Sequence, residues 1–566
     1  MKHNLLTSIL LVCLPACALL LPSCMHEIVP VQDAGALPSE NTEELPSYAE
    51  IRPRSETTKE LTTVFYTSDP ELDPRLSYLS TEAQLFTGLY EGLFTYDPRT
   101  MAPLPSMAES YTVSEDKKTW TFKLQKNAQY SNGDKVRASD FVNAWISLLD
   151  PSRDAPYSSL FDVIDGVAAY RDKNNKTKDA SKVRISATDD STLVVGLVHP
   201  TSFLPYILCH HSFSPIHPSL LNEKDWFHLA AQGKLIGNGP FYIADYMANT
   251  SHDYNDASFV LKKSPYYWDK DNVALETINY RMLEDLDTAS MLWNSGFARW
   301  LDGNVNYDTL NDTSGIKVNT LFSTHYFFIR SVKKPLQDSR VRQAMTLTLP
   351  WQDIRSNYNL PAETLVYPLR GYPEIKGLNT TDIDKAKKLL AEAGYPEGKG
   401  IEQIVIRIPQ GEVGEKVAGM LADNWKKQLG LTVKIEVTPA ANYFNLIKDG
   451  NYDVGVTTWI GDFADPYTFL QNWRSDSNLN DAKYNNPEYD AILDRSMQEE
   501  GEARWKTLGE AEQILLDSGA CLPLSYNYAL NIIDTNEIGG WFLNALDIHP
   551  FKYLYYKTLR ALPGVV

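Results

Sequence analysis

The residues best placed for chemistry run from Thr458 to Pro466 and read Thr458-Trp459-Ile460-Gly461-Asp462-Phe463-Ala464-Asp465-Pro466. The segment from Asp453 to Ile460 before Gly461 reads as a strand, which puts Asp462 at its carboxyl end. Open sheets collect ligands there, because loops and helix termini leave polar groups unpaired. Gly461 allows close approach, Trp459 supplies an apolar wall, and a carboxylate at Asp462 suits a cationic group. Asp465, next to Pro466, reads as a turn residue. The chain has no Gly-x-Ser-x-Gly elbow, His-Glu-x-x-His helix, Gly-x-x-x-x-Gly-Lys phosphate loop or Gly-x-Gly-x-x-Gly dinucleotide turn. The expectation is recognition without catalysis, and no cofactor.

Two clusters could hold metal. Cys209-His210-His211 with His217 gathers soft ligands, yet the spacing fits no compact zinc motif. Ile207 and Leu208 before it and Ser214-Pro215 after it read instead as a strand entering a turn. Asp269, Asp271 and Asn272 lack the glycine and closing glutamate of a calcium loop, so a solvated turn is expected. No metal site is assigned.

The elements that must position Asp462 are legible from residue 401 onward. Ile404, Ile406 and Ile408 alternate as a strand, and Val413, Val417, Met420, Leu421, Trp425 and Leu429 recur at helical spacing up to Gly430. Leu431, Val433, Ile435 and Val437 alternate as the next strand, Tyr443 to Ile447 suit a short helix, and the Asp453–Ile460 strand closes the series. Strand, helix, strand, helix, strand implies parallel pairing. Upstream, Thr381 or Asp382 caps a helix with Ala386, Leu389, Leu390 and Ala393 on one face and Gly394 after it. The N-terminal half is richer in strands. Trp120, Phe122 and Leu124 alternate, Asn132-Gly133 marks a turn, and Ser139 is read as the cap of a helix with Phe141, Val142, Trp145, Ile146 and Leu149 along its stripe.

At 566 residues the chain exceeds one hydrophobic core, and two lobes are expected. Its 53 Lys and Arg against 72 Asp and Glu leave a net charge of −19, and no basic stripe offsets it, which argues against a nucleic-acid partner. Lys2 and His3 precede an uncharged run from Leu5 to Leu21, the form of a signal peptide. The run ends in Leu21-Pro22-Ser23-Cys24, which resembles a bacterial lipobox and implies a lipidated Cys24, with residues 1–23 removed. Leu14-Pro15-Ala16-Cys17 is a weaker candidate, because apolar residues continue through Leu21. Residues 24–59 are rich in Pro, Ser, Glu and Ala and read as a flexible tether. Nothing further along is long and apolar enough to span a bilayer. Beyond Cys24 only Cys209 and Cys521 remain, so no disulfide framework holds the fold, and the sequence leaves open whether those two pair.

Several stretches together resemble the extracytoplasmic solute-binding proteins of bacterial oligopeptide and dipeptide ATP-driven importers (family 5), in lipoprotein form. They are Leu85-Phe86-Thr87-Gly88-Leu89-Tyr90-Glu91-Gly92-Leu93, then Trp120 to Leu124 with Asn132-Gly133-Asp134 and Asp140-Phe141-Val142. Asn238-Gly239-Pro240-Phe241-Tyr242, Tyr266-Tyr267-Trp268 and Asp338 to Ala344 follow, and then Asp384 to Tyr395 and Trp459 to Leu470. The resemblance implies an α/β clamshell of the large peptide-receptor type with mixed sheets. Lobe I, with an extra subdomain, would span 60–318, lobe II 319–527, and 528–566 would return to lobe I, with two crossover segments and the ligand between the lobes.

The resemblance also implies that Asp462 pairs with the α-ammonium group of a peptide. Backbone recognition suits a receptor for many sequences. Tyr78, Leu79, Ser80 and Thr81 on one lobe and Thr457, Thr458, Trp459, Ile460 and Gly461 on the other are nominated by position, with Tyr526 as a cleft aromatic. Some family members carry an arginine for the peptide carboxylate where this chain has Ile447 and Val456, and Lys448 reads as a solvated side chain. The expected partners are short peptides and a membrane permease with separate ATPase subunits, met by a monomer anchored outside the cytoplasmic membrane. The alternatives are the same fold with a nickel complex, haem or sugar as cargo, or a surface adhesion lipoprotein.

Overall fold

The computed structural model describes residues 59–67, 70–172, 175, 177–248, 256–439, 443 and 446–557. Cys24, the signal segment and the tether up to residue 58 lie outside the described residues. Contacts divide the chain into two compact units. The first holds the described residues up to Asn319, Asp462–Ala464 and those from Tyr528 on, and the second holds Thr320–Gly461 and Asp465–Asn527. Two long strands, Ile316–Ile329 and Cys521–Ile533, each contain a boundary between the units. The protein is of the mixed α/β, two-lobe class that the sequence points to.

In the second unit, Ile404–Pro409 pairs in parallel with Val433–Thr438 from Ile404↔Val433 to Pro409↔Thr438, and with Val454–Ile460 through Ile406↔Val454. Ile404, Ile406 and Ile408 are all buried. The helix between the first two strands, Glu412–Leu429, buries Val417, Leu421, Trp425 and Leu429, one residue per turn. It ends because Gly430 adopts φ 70° and its N–H turns back to Lys426 and Trp425 carbonyls, a conformation that costs glycine little. Asp382 caps the helix Ile383–Glu392 by accepting the Lys385 N–H, whereas the Thr381 hydroxyl bonds the Leu349 carbonyl. Tyr443 and Leu446 to Lys448 are helical, and the residues between them lie outside the described set. Val454–Ile460 then runs antiparallel to Ile316–Ile329, with Ser323↔Ile460 and Ile329↔Val454 at the ends of the register.

In the first unit, Glu60–Phe65 is parallel to Thr277–Leu283 on one side and to Trp300–Leu301 on the other, and Trp300–Leu301 pairs antiparallel with Ile532 and Ile533. The hairpin strands Asp256–Lys263 and Phe241–Ala248 extend the sheet. A separate antiparallel sheet has Ala108–Val113, Thr119–Leu124, Thr192–Gly196 and Ile185–Asp189 in that order, with Trp120, Phe122 and Leu124 buried as their alternation predicts. The helix Ala138–Leu148 starts two residues earlier than expected. Arg137 occupies the cap position and Asp140 accepts its N–H at 2.9 Å, so Ser139 lies inside the first turn and is not the cap. Phe141 and Trp145 are fully buried, and Val142 and Ile146 only half-buried.

Residues after Tyr528 are stitched into the same unit. Gln84 donates to the His549 carbonyl at 2.9 Å and accepts its N–H at 2.8 Å. Lys552 reaches Asp269 at 2.8 Å and lies 4.8 Å from the Trp268 ring, whose indole N–H donates to Glu91 at 2.6 Å. Asp269 is thus an ion-pair partner at the edge of a short 3-10 turn, Lys270–Asn272.

Candidate functional site

The Val454–Ile460 strand delivers the chain to Asp462 through Gly461, whose N–H donates to the Phe322 carbonyl at 2.8 Å. A side chain at Gly461 would meet Phe322 Cδ1 at 2.6 Å and Thr468 Cγ2 at 3.0 Å, so here glycine is required by packing. Asp462, Phe463 and Ala464 then belong to the first unit. Within that unit the Tyr157 hydroxyl donates to Asp462 Oδ1 at 2.9 Å, and the Tyr96 hydroxyl donates to the Asp462 carbonyl at 3.0 Å. His210 Nε2 lies 3.8 Å from the same Oδ1, and both side chains are less than a tenth exposed.

Burial sets the charges around this carboxylate. It holds the His210 imidazole well below its ordinary pKa, helped by the adjacent His211, so His210 is neutral near pH 7. Burial likewise brings His211 down to about 4. The Tyr157 hydroxyl is pushed well up, first by burial and then by the Asp462 charge it faces, and remains a donor. The rings pack closely at tilted angles: Tyr157 to His210 is 4.2 Å and His210 to His211 is 4.0 Å between centroids. His211 in turn hydrogen-bonds the Ser77 backbone, which links this cluster to the stretch before the helix Ser80–Leu89. Asp462 is therefore a nearly buried carboxylate approached by a neutral hydroxyl and a neutral imidazole, an arrangement suited to holding a cationic donor.

The other nominated residues fall in distinct settings. Tyr78 and Leu79 are exposed, but their backbones are not a strand edge: both N–H groups donate to Glu82 Oε2, at 3.3 and 3.1 Å, and Ser80 and Thr81 open the helix. The ladder positions proposed for Tyr78 to Thr81 are corrected accordingly, because Glu82 caps that helix. Thr457, Thr458 and Trp459 do lie on an extended strand, opposite Tyr326, His325 and Thr324. Past Val454, the ladder of this strand runs with Ile316–Ile329 alone among the described residues, and the Tyr443 hydroxyl takes both the N–H and C=O of Val456 on the other side. Backbone groups alternate sides along a strand, so those of Thr458 and Ile460 face that second side. Tyr526 packs its ring 4.9 Å from Tyr367, bonds the Thr364 hydroxyl at 2.5 Å, and donates its N–H to Leu360.

Three expectations change. Asp465 is more than a turn residue. It accepts the Tyr467 N–H at 2.9 Å and takes both terminal nitrogens of buried Arg504, at 2.5 and 2.9 Å. Ile207 and Leu208 do not form a strand but end the short helix Leu204–Ile207, and both are buried. The histidines around Cys209 also separate in use. His210 and His211 serve the Asp462 surroundings, while His217 Nε2 lies 3.0 Å from Asp134 Oδ2. Cys209 and Cys521 are both buried free thiols. No group of three or more potential ligands gathers for a metal among the described residues, and no described helix is long and apolar enough to cross a membrane. Sequence reasoning missed Tyr96 and Tyr157. Their recruitment to Asp462 depends on pairing over 366 and 305 residues, for which no local spacing gives a signal.

Residues 102–481 match the family model described as "Bacterial extracellular solute-binding proteins, family 5 Middle". The chain is 26% identical over 503 residues to the dipeptide-binding protein DppE of Bacillus subtilis, covering 86% of this chain and 89% of that one. It is 28% identical over 486 residues to the periplasmic oligopeptide-binding protein OppA of Escherichia coli, covering 83% and 87%. Among solved structures, the Escherichia coli murein tripeptide binding protein MppA superposes with a TM-score of 0.76 at 25% identity, over 89% of this chain and 99% of that one.

Proposed function

Because the chain belongs to the family 5 bacterial extracellular solute-binding proteins, we propose that it captures short peptides by their α-ammonium group at Asp462 and delivers them to an ATP-driven membrane permease. The observation that carries this reading is the Asp462 carboxylate, which is nearly buried while the Tyr157 hydroxyl and the His210 imidazole beside it are uncharged. An ammonium group brings up to three donors and the opposite charge, and the interaction strengthens where water is scarce. The strand that ends at Asp462 offers main-chain groups at Thr458 and Ile460 that could extend the ladder onto a peptide. The names of DppE, OppA and MppA, which bind a dipeptide, oligopeptides and a murein tripeptide, support peptides as the cargo class.

The same reading places the protein outside the cytoplasmic membrane, held by a lipid on Cys24 at the head of the tether and working as a monomer, without enzymatic activity. Peptide binding favours one conformation over another, and the permease reads that conformation.

The test is mass spectrometry of small molecules released by denaturing protein purified without added ligand, alongside an Asp462→Ala variant. A mixture of short peptides in the wild type and none in the variant supports the proposal. A single non-peptide species, or peptides retained equally by both, refutes it.

A further inference from the structure

Asp462, the residue proposed to meet the ligand, lies in a loop that is fixed just before it and just after it. Before it, the Gly461 N–H donates to the Phe322 carbonyl at 2.8 Å, and Gly461 packs between Phe322 and Thr468 too tightly for a side chain. After it, the Asp465 carbonyl accepts the Thr468 N–H at 3.1 Å, and the Asp465 carboxylate accepts the Tyr467 N–H at 2.9 Å. Thr468 thus closes the loop, bonded to its far end and lying against its start. Phe469, the next residue, sets its ring 4.7 Å from that of Phe322. Only Asp462, Phe463 and Ala464 span the interval, and a stretch that short has little freedom once both ends are held.

What holds the far end is a charge pair. Arg504 donates from Nη1 to Asp465 Oδ2 at 2.5 Å and from Nη2 to Oδ1 at 2.9 Å, and both side chains are less than a tenth exposed. Among the described residues no other cation pairs with Asp465. Arg504 comes from the helix Gly501–Asp517, whose Leu508 and Glu512, one and two turns further along the same face, are fully buried, so the guanidinium is presented from a rigid support. Burying two charges costs most of what their attraction returns, so such a pair adds little net stability over an apolar one. Its two parallel hydrogen bonds instead fix direction, which the planar guanidinium can do and a lysine ammonium cannot.

We propose that Arg504 is a positioning residue for the ligand-binding carboxylate: by gripping Asp465 it sets, through the three residues between, the direction in which Asp462 meets the ligand's ammonium group. The inference rests on the peptide reading above and deepens it, naming what holds Asp462 in place rather than another group that touches the ligand. Gly461 fixes the start of the loop by packing, and Arg504 fixes its end by charge. A recognition group has to be held to within about 0.5 Å by supporting contacts to keep its affinity. A hydrogen bond to an ammonium group weakens steeply once it is misaligned.

The test separates stability from recognition. Full-length wild type, Arg504→Lys and the double variant Asp465→Asn, Arg504→Met, all stripped of ligand, are titrated by calorimetry with one tripeptide in two forms, with a free amino terminus and N-acetylated. Wild type is expected to prefer the free form by roughly 10- to 100-fold. Arg504→Lys keeps the charge but not the fork, and the double variant leaves no charge unpaired. In each, the preference should fall towards one while affinity for the acetylated form stays at the wild-type level and so verifies the fold. Either variant alone decides the outcome if the other has lost its affinity for the acetylated form. A pair that served stability alone would leave the preference intact however far the melting temperature moved, so an undiminished preference overturns the inference and leaves the role of Asp462 standing. Loss of affinity for both forms in both variants also overturns it, because the pair would then hold the fold and not the direction of Asp462. Equal affinity of the wild type for the two forms, or none for either, overturns the Asp462 reading and this inference with it.

Discussion

The Tyr157 hydroxyl donates to Asp462 Oδ1 at 2.9 Å across 305 residues of chain. A buried carboxylate that loses a donor keeps its desolvation cost, so Tyr157→Phe should lower the unfolding free energy of the ligand-free protein by about 1 to 3 kcal/mol. Urea denaturation of wild type and variant, both stripped of ligand, measures it. An unchanged midpoint would mean that the hydroxyl is not what satisfies Asp462.

Removing the charge itself should affect binding in a chemically specific way. Asp462→Asn is expected to weaken capture of peptides with a free amino terminus by roughly 10- to 100-fold, the range of a charge-assisted hydrogen bond. N-acetylated peptides, which bring no ammonium, should bind wild type and variant alike. Titration calorimetry with matched acetylated and free peptides separates the two cases.

Glu512 should make stability fall as pH rises. Its side chain is fully buried, accepts the Val366 N–H at 2.8 Å and the Tyr372 hydroxyl at 3.0 Å, and burial lifts its pKa from 4.5 to about 7. Between those values the folded protein holds a proton that the unfolded chain has released, so the stabilising difference is complete below pH 4.5 and lost as pH rises through 7. The shift corresponds to roughly 3 kcal/mol. Denaturation at pH 5 and pH 8 should show wild type losing more stability over that interval than Glu512→Gln, which has no proton to lose. Equal losses would count against the buried acid.

Asp465 and Arg504 form a buried pair with two contacts, and breaking one side strands the other. Asp465→Asn should cost about 3 to 5 kcal/mol, visible as a lower midpoint in guanidinium. The double variant Asp465→Asn, Arg504→Met should recover part of that loss, because no buried charge is then left unpaired.

The second unit was the more legible in sequence, for a physical reason. Ile404, Ile406 and Ile408, the Val417–Leu421–Trp425–Leu429 stripe and Gly430 are local signals, and the strands they define pair in the parallel order expected. Asp382 was legible as a cap in the same way, whereas the cap read at Ser139 lies two residues earlier, because the Arg137 backbone and Asp140 fill the capping role. Asp462 could be found because it follows a readable strand. Tyr157 and Tyr96 could not, since an aromatic in a mostly buried segment looks like core until distant pairing shows what it faces. Tyr78 to Thr81 misled for the opposite reason: their position was right for an extended edge, but Glu82 ties their backbone to a helix start.

The first unit joins Glu60–Phe65 to Trp300–Leu301, and these to Ile532 and Ile533, in one ladder. A ribosome makes the first of these strands hundreds of residues before the last, so the sheet lacks a member until synthesis is almost finished. Most proteins fold their N-terminal part while the rest is being made. Here Trp300–Leu301 must wait for Ile532 and Ile533, and closure of such distant pairs is slow. During that wait Trp300–Leu301, buried at both positions in the folded protein, is an exposed edge that needs protection from pairing with the wrong chain.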